Sequence, residues 1–330
     1  MKLIKTQDAV GHVLCHDITQ IIKGVTKDAL FRKGHIVTEE DIPLLLSVGK
    51  EHLYVWENDE SMMHENDAAM VLLDMCKNEH MSYGEIKEGK IELKSEIHGL
   101  LKVDRKALFT VNSFGQMMIA TRHGNTVVNP GDKLAGMRII PLVIEKEKMD
   151  KVRSLITSPI LEIKPFVLKK AAVITTGSEV YKGRIQDTFT PVIQAKLAEF
   201  GCEMVYHVIC DDDDKMVTEK INEALTQGVD IVLCTGGMSV DPDDRTPLAI
   251  KNTGAEIVTY GAPVLPGAMF LLSYYGEKKT PVIGLPGCVM YAKRTIFDLV
   301  LPRIVAGEIL KKADIDTLGE GGLCLNCPVC

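Results

Sequence analysis

AAVITTGSEVYKGRIQDTFTPVIQAKLAEFGCEMVYHVIC, residues 171–210, reads as strand, loop, helix and strand in succession. AAVITTG (171–177) is an unbroken apolar run that stops at Gly177, the pattern of a strand covered on both faces. Thr190 and Pro191 open the helix as N-cap and first-turn proline, Ile193, Leu197 and Phe200 stand at i, i+4 and i+7, and Gly201 closes it. MVYHVIC (204–210) is the second strand. The alternation then repeats. A helix carries Val217, Ile221 and Leu225 on one face and ends at Gly228; DIVLCTGG (230–237) and PVIGLPG (281–287) are further strands, and VMYAKRTIFDLVLPRI (289–304) reads as helix. Strands alternating with amphipathic helices specify an α/β fold with a parallel sheet and right-handed crossovers, in a Rossmann-like three-layer arrangement.

Upstream the pattern is less regular. Residues 1–57 form a first segment, in which Thr38, Asp41 and Gly49 predict a capped helix running into a strand. Residues 58–150 predict a smaller mixed or β-rich subdomain: AAMVLLDMCKNEH reads as helix, and short apolar runs from Ile91 to Ile144 alternate with turn residues. His98, His123 and Asp132 lack metal-ligand spacing and read as structural polar groups. The α/β domain spans 151–306 with a connecting helix over 151–163, and 307–330 form a cysteine-containing tail.

Composition narrows the function. A net charge of −7 and 5% aromatic residues exclude a general nucleic-acid binder. No run of 18 apolar residues is present to span a membrane, and MKLIKTQDAVGH lacks the apolar block of a secretory signal. The expected location is the cytoplasm, where most of the nine cysteines would stay reduced inside apolar segments.

In parallel sheets ligands bind at the carboxyl ends of the strands. TTGSE, CDDDD, TGGMSVDPDD and GLPG each follow an apolar strand, so they gather along one edge. Each alone is equally a turn, or a solvated helix start in the case of DDDD; four together make a site. Gly177, Gly236 and Gly237 let backbone amides approach an anion, and Ser178, Thr235 and Ser239 add hydroxyls. Glu179, Asp211, Asp243 and Asp244 beside a phosphate point to Mg²⁺, and Arg245, Lys182 and Arg184 supply positive charge.

TTGSEVYKGRIQDTFTPVIQAKLAEFGCE, the DD after the second strand, TGGMSVDPDDRTP and GLPG resemble the molybdopterin-binding domain shared by molybdopterin adenylyltransferases, molybdopterin molybdenumtransferases and the competence-damage-inducible nucleotide-hydrolase family. DAVGHVLCHDI and FRKGHIVTEEDIPLLLSVGKEHLYVW are similar to the molybdenumtransferase branch. The resemblance implies molybdopterin or its AMP anhydride as substrate, with Mg²⁺ and molybdate. It implies Glu179, Asp211 and Asp244 as catalytic acids, Asp211 and Asp244 as Mg²⁺ ligands, and Pro286 and Gly287 in a cofactor-binding turn. It also implies a homodimer; a molybdenum enzyme as partner comes instead from the carrier reading, which draws on departures from the family and on the cysteine tail. The chain departs from that branch at three places: Ser178 replaces an acid, Pro266-Gly267-Ala268-Met269 lacks a lysine, and Cys288 and Val289 follow GLPG.

Three functions follow as expectations. The first is Mg²⁺-dependent molybdate insertion into adenylylated molybdopterin, the second a non-catalytic molybdopterin carrier or maturation partner, and the third a nucleotide pyrophosphohydrolase suggested by DDRTP. Cys324, Cys327 and Cys330 have the C-x2-C-x2-C spacing of three metal ligands without a fourth.

Overall fold

The apolar alternation from residue 170 onward builds one six-stranded sheet. In the computed structural model, which describes residues 2–22, 26–55, 59–242 and 244–325, the chain divides into two compact units. One comprises Met1–Ile97, Lys102–Gly124 and Val128–Ile163; the other His98–Leu101, Asn125–Val127 and Lys164–Cys330.

In the carboxy-terminal unit the strands are β1 (Lys170–Thr176), β2 (Glu203–Cys210), β3 (Ile231–Thr235), β4 (Glu256–Tyr260), β5 (Leu271–Tyr275) and β6 (Thr280–Leu285), in spatial order β2-β1-β3-β6-β5-β4. β2, β1, β3 and β6 are parallel. β5 runs antiparallel to β6 and β4 antiparallel to β5, so the parallel sheet expected from the sequence carries an antiparallel addition. The helices are α1 (Ser178–Tyr181), α2 (Phe189–Ala198), α3 (Asp214–Thr226), α4 (Thr246–Asn252) and α5 (Ile296–Val305).

Period-two alternation sorts the strand side chains into two cores. Val173, Ile231 and Leu233 pack with Ile193 and Leu197 of α2 and with Phe297, Val300 and Leu301 of α5. Ile174, Val232 and Cys234 pack with Val217 and Ile221 of α3 and Ala249 and Ile250 of α4 on the other face. The result is the three-layer α/β sandwich. Each fully buried Leu, Ile or Phe contributes about 1.5–3 kcal/mol, which fixes strand register.

Two helix boundaries differ from the sequence reading. α2 starts at Phe189, and its first amides donate to Asp187 Oδ1 at 2.9 Å (Phe189) and 3.0 Å (Thr190); the acceptor is Asp187 rather than a Thr190 N-cap. The stretch 289–304 is not one helix. A short 3-10 turn, Gly287–Met290, is followed by α5, which starts afresh at a Thr295 and Asp298 capping box.

In the amino-terminal unit, an antiparallel sheet takes the order Met81–Tyr83, Ile91–Ser95, Lys133–Ile139, Met117–Thr121. Helix Glu65–Cys76 covers it with Ala68, Ala69, Leu72 and Leu73, all buried. A separate cluster of Ala9, Leu14, Ile18, Val37, Leu45 and Leu53 holds the first fifty-five residues. The helix predicted after Thr38 spans Asp41–Ser47, and Asp41 Oδ2 accepts from the Thr38 amide at 2.8 Å. The connecting segment predicted as helix over 151–163 is helix Lys146–Leu155 followed by strand Leu161–Pro165. Asp132 ties a turn through Arg122 at 3.1 Å and the Asn129 amide at 2.8 Å, whereas His98 belongs to the carboxy-terminal unit and packs there on Phe166 and Phe200. Both are structural groups.

Candidate functional site

β1 lies inside the sheet with β2 on one side and β3 on the other. The direction of winding therefore reverses between the loops that follow β1 and β3, and such a switch point opens a crevice at the carboxyl ends of the strands. The loops after β2 and β6 flank it, so the topology brings all four predicted loops to one edge.

The loop after β1 turns at Gly177, whose φ of +145° excludes most side chains. Its Ser178 amide donates to Asp212 Oδ2 at 2.8 Å, and the Ser178 hydroxyl donates to Asp211. Lys182 Nζ lies 3.5 Å from Asp211 Oδ2. The Ser178 hydroxyl, the Asp212 amide and Lys182 together hold Asp211 below the usual carboxylate range. Ser178 thus fastens the β1 loop to the β2 loop. Asp213 caps α3 by accepting from the amides of Lys215 and Met216, and Asp214 pairs with Arg245 at 3.3 Å. Glu179 is exposed at the rim.

The loop after β3 is built around two glycines with positive φ. A Cβ on Gly236 would stand 2.3 Å from the Thr176 carbonyl oxygen, and one on Gly237 2.9 Å from Thr246 Oγ1. The Thr246 hydroxyl donates to the Gly236 carbonyl at 2.8 Å. Asp244 Oδ2 accepts from the Ser239 amide at 2.9 Å, and the Tyr260 hydroxyl donates to the Met238 carbonyl at 2.9 Å. Thr235, wholly buried at the end of β3, has a hydroxyl without a hydrogen-bond partner among the described residues. A buried hydroxyl of this kind is uncommon.

The structure adds a group that the sequence reading did not single out. Asp187 Oδ2 accepts from the Thr190 hydroxyl, and His207 Nε2 lies 3.0 Å from Thr190 Oγ1 and 3.2 Å from Thr175 Oγ1. Burial alone would raise Asp187; the Thr190 hydroxyl and amide, the Phe189 amide and His207 outweigh it and hold the carboxyl below its usual range. Thr175 lies opposite Thr235 in the parallel register, so this polar layer sits beneath the same loops. Its signal in the sequence is the aspartate three residues before Thr190, an N-terminal capping arrangement.

No group of three or more His, Cys, Asp or Glu side chains placed to hold a metal ion occurs among the described residues. Asp211 and Asp244 each serve a loop hydrogen bond. Pro286 and Gly287 form the turn after β6, and Cys288 is half-buried there with its thiol pushed up by burial. Cys324 is exposed; Asp243, Cys327 and Cys330 lie outside the described residues.

Residues 172–306 match the family described as a probable molybdopterin binding domain, so the carboxy-terminal unit carries a domain of the molybdopterin-binding family. Residues 3–57 match a domain of unknown function. CinA-like proteins of Mycobacterium avium (strain 104) and Mycobacterium tuberculosis (strain ATCC 25618 / H37Rv) are each 33% identical over 93 residues, which cover 28% of this chain. That match spans 21% and 22% of their own lengths. Among solved structures, the tungsten cofactor synthesizing protein MoaB from Pyrococcus furiosus is 26% identical with a TM-score of 0.33, covering 38% of this chain and 85% of its own. The molybdopterin biosynthesis enzyme MoaB from Thermus thermophilus is 22% identical with a TM-score of 0.35, covering 44% and 100%. No helix of the described residues is long and apolar enough to cross a membrane.

Proposed function

We propose that the carboxy-terminal unit binds molybdopterin, or its AMP anhydride, in the crevice between the β1 and β3 loops, as a step of molybdenum cofactor assembly in the cytoplasm. The observation that carries this reading is the switch point itself. Gly177, Gly236 and Gly237 turn the two loops with positive φ, and at Gly236 and Gly237 a Cβ would collide with Thr176 and Thr246, a backbone of the kind that can approach an anion closely. Lys182 and Arg245 supply positive charge at the rim.

In the catalytic form of this proposal Asp211 and Asp244 would hold Mg²⁺ with Glu179 completing the acidic set, water would attack the phosphoanhydride and release AMP, and the freed pterin would take up molybdate. Mg²⁺ would neutralise charge on the phosphates. The binding-only form, a carrier that hands the pterin to a molybdenum enzyme, is favoured by a specific observation: Asp211, Asp212, Asp213 and Asp244 are each already used as acceptors for loop or cap donors. A homodimer is the expected assembly.

Incubation of the purified chain with adenylylated molybdopterin, Mg²⁺ and molybdate separates these forms. Molybdate-dependent AMP release that disappears in Asp244→Ala establishes insertion. Tight pterin retention without AMP release establishes the carrier, turnover of ADP-ribose instead establishes a pyrophosphohydrolase, and absence of both binding and turnover refutes the proposal.

A further inference from the structure

The amino-terminal unit contains its own concavity, of about 310 Å³, between the segment that matches a domain of unknown function and the elements that follow it. Its floor is Glu65, the first residue of helix Glu65–Cys76 and 7% exposed. The Glu65 amide donates to the Leu142 carbonyl at 2.9 Å. The one ion pair of its carboxylate among the described residues is long, 3.4 Å from Oε2 to Arg138 Nη2. The side chain is seated against Gly89, where a Cβ would stand 2.3 Å from Oε2. Burial raises this carboxyl; Arg138 and Lys33 oppose the rise, while Glu88 and Asp17 reinforce it. A carboxylate sealed in this way and weakly paired costs folding stability, so its presence at the base of an open cavity calls for a reason.

The surrounding groups supply one. Asp17 Oδ1 accepts from the Lys33 amide at 2.7 Å and Glu88 Oε1 from the Thr19 hydroxyl at 2.6 Å, which anchors both acids and leaves a second oxygen on each. His16 Nδ1 is buried without a partner among the described residues, and its ring stands edge-on to Tyr54 with centroids 6.5 Å apart. Burial, and then Lys50, depress the His16 pKa, so the neutral ring presents an acceptor as well as a donor nitrogen. Arg138 spends its Nε on the Ile139 carbonyl at 2.9 Å. Among the residues lining the cavity, three carboxylates thus stand with one guanidinium, and Lys33 acts on Glu65 from outside the lining, so the acids still outnumber the bases. Tyr54 and Ile140, both solvent-exposed, together with Leu142 give the remaining wall an apolar surface.

This charge balance disfavours an anion, and the described side chains form no cluster of three metal-ligating groups. We infer that the cavity binds a small organic cation of the amidinium class, its N–H edge on the Glu65 carboxylate and its apolar body against Tyr54 and Ile140. Charge-assisted hydrogen bonds to the buried carboxylate supply orientation, and the aromatic face adds a cation–π contact. The inference does not depend on the pterin reading, because every residue it uses belongs to the amino-terminal unit.

The test uses the full chain with benzamidine as the probe and benzoate as its anionic counterpart, followed by calorimetric titration and by the methyl NMR signal of Ile140. Saturable benzamidine binding that shifts Ile140, weakens roughly tenfold or more in Glu65→Gln and several-fold in Glu88→Gln, and has no benzoate equivalent is the expected result. Glu88 is exposed, so its variant still reports if Glu65→Gln does not fold. Benzoate moving Ile140 as strongly, benzamidine binding unchanged in the variants, or no Ile140 shift with either probe would overturn the inference.

Discussion

Asp213 and Glu65 both stand at the start of a helix, yet they serve it in opposite ways. Asp213 caps α3, accepting from the amides of Lys215 at 2.8 Å and Met216 at 3.0 Å. Glu65 caps nothing: the side chain of His64 accepts from the Asn66 amide instead, and the Glu65 carboxylate is left beneath a cavity with a long ion pair. The contrast extends to the rest of each unit. In the carboxy-terminal unit the acids at the strand ends mostly build loops; in the amino-terminal unit an acid is withheld from the framework. A run such as CDDDD therefore announces loop construction before it announces a metal, and a carboxylate that builds nothing is the better pointer to a ligand.

The same comparison can be tested at two glycines. A Cβ would stand 2.3 Å from a neighbour at both Gly236 and Gly89, and both have positive φ. At Gly236 the neighbour is the Thr176 backbone carbonyl, which cannot withdraw, so Gly236→Ala should destabilise the protein by about 4 kcal/mol or more in urea unfolding. At Gly89 it is the end of the Glu65 side chain, which yields into the cavity; Gly89→Ala should cost about 1–2 kcal/mol, mostly backbone strain. Equal losses would show that Glu65 is locked in place, and the distinction between the two acids would fail.

A smaller effect is expected at Asp244→Ala, which frees the Ser239 amide and should cost about 1 kcal/mol in the same unfolding measurement. An unchanged midpoint would mean that Asp244 is not needed to shape its loop and is free to take a metal.

The smallest effects are in pH dependence, and their signs differ between the units. The folded pKa of Asp187 is depressed, so its stabilising contribution is present above its ordinary value of 3.8 and is lost as pH falls through the folded value. The folded pKa of Glu65 is raised, so the native state binds its proton more tightly and stability declines as pH rises from its ordinary 4.5 toward the folded value. Thermal unfolding of Asp187→Asn should lose the first slope and that of Glu65→Gln the second. Slopes of the same sign would contradict the assignment.

How much of this was legible in the sequence follows from distance along the chain. β1, α2, β2, α3 and β3 each carry their period within a short window, and the four loops fall at strand ends by construction, so the three-layer sheet and the gathering of those loops at one edge could be read directly. The antiparallel direction of β5 could not, because LLSYY packs equally well either way until its neighbours are known. Asp187 was legible as a capping acceptor for the start of α2 but not as part of a polar layer, since that appears only when His207 and Thr190 meet. The amino-terminal cavity left no local trace at all. Glu65 and Arg138 are 73 residues apart in sequence, and the strand Lys133–Ile139 pairs with both Ile91–Ser95 and Met117–Thr121; such pairings obey no short period.

The tethering of the Ser178 and Ser239 amides to Asp212 and Asp244 also bears on the speed of ligand capture. Both loops hold their turns through hydrogen bonds within the protein, so a pterin phosphate arriving at the crevice would not have to order them. Association should then be set by diffusional encounter and the ionic strength that screens Lys182 and Arg245, and differences in affinity among pterin ligands should appear in how slowly each one leaves.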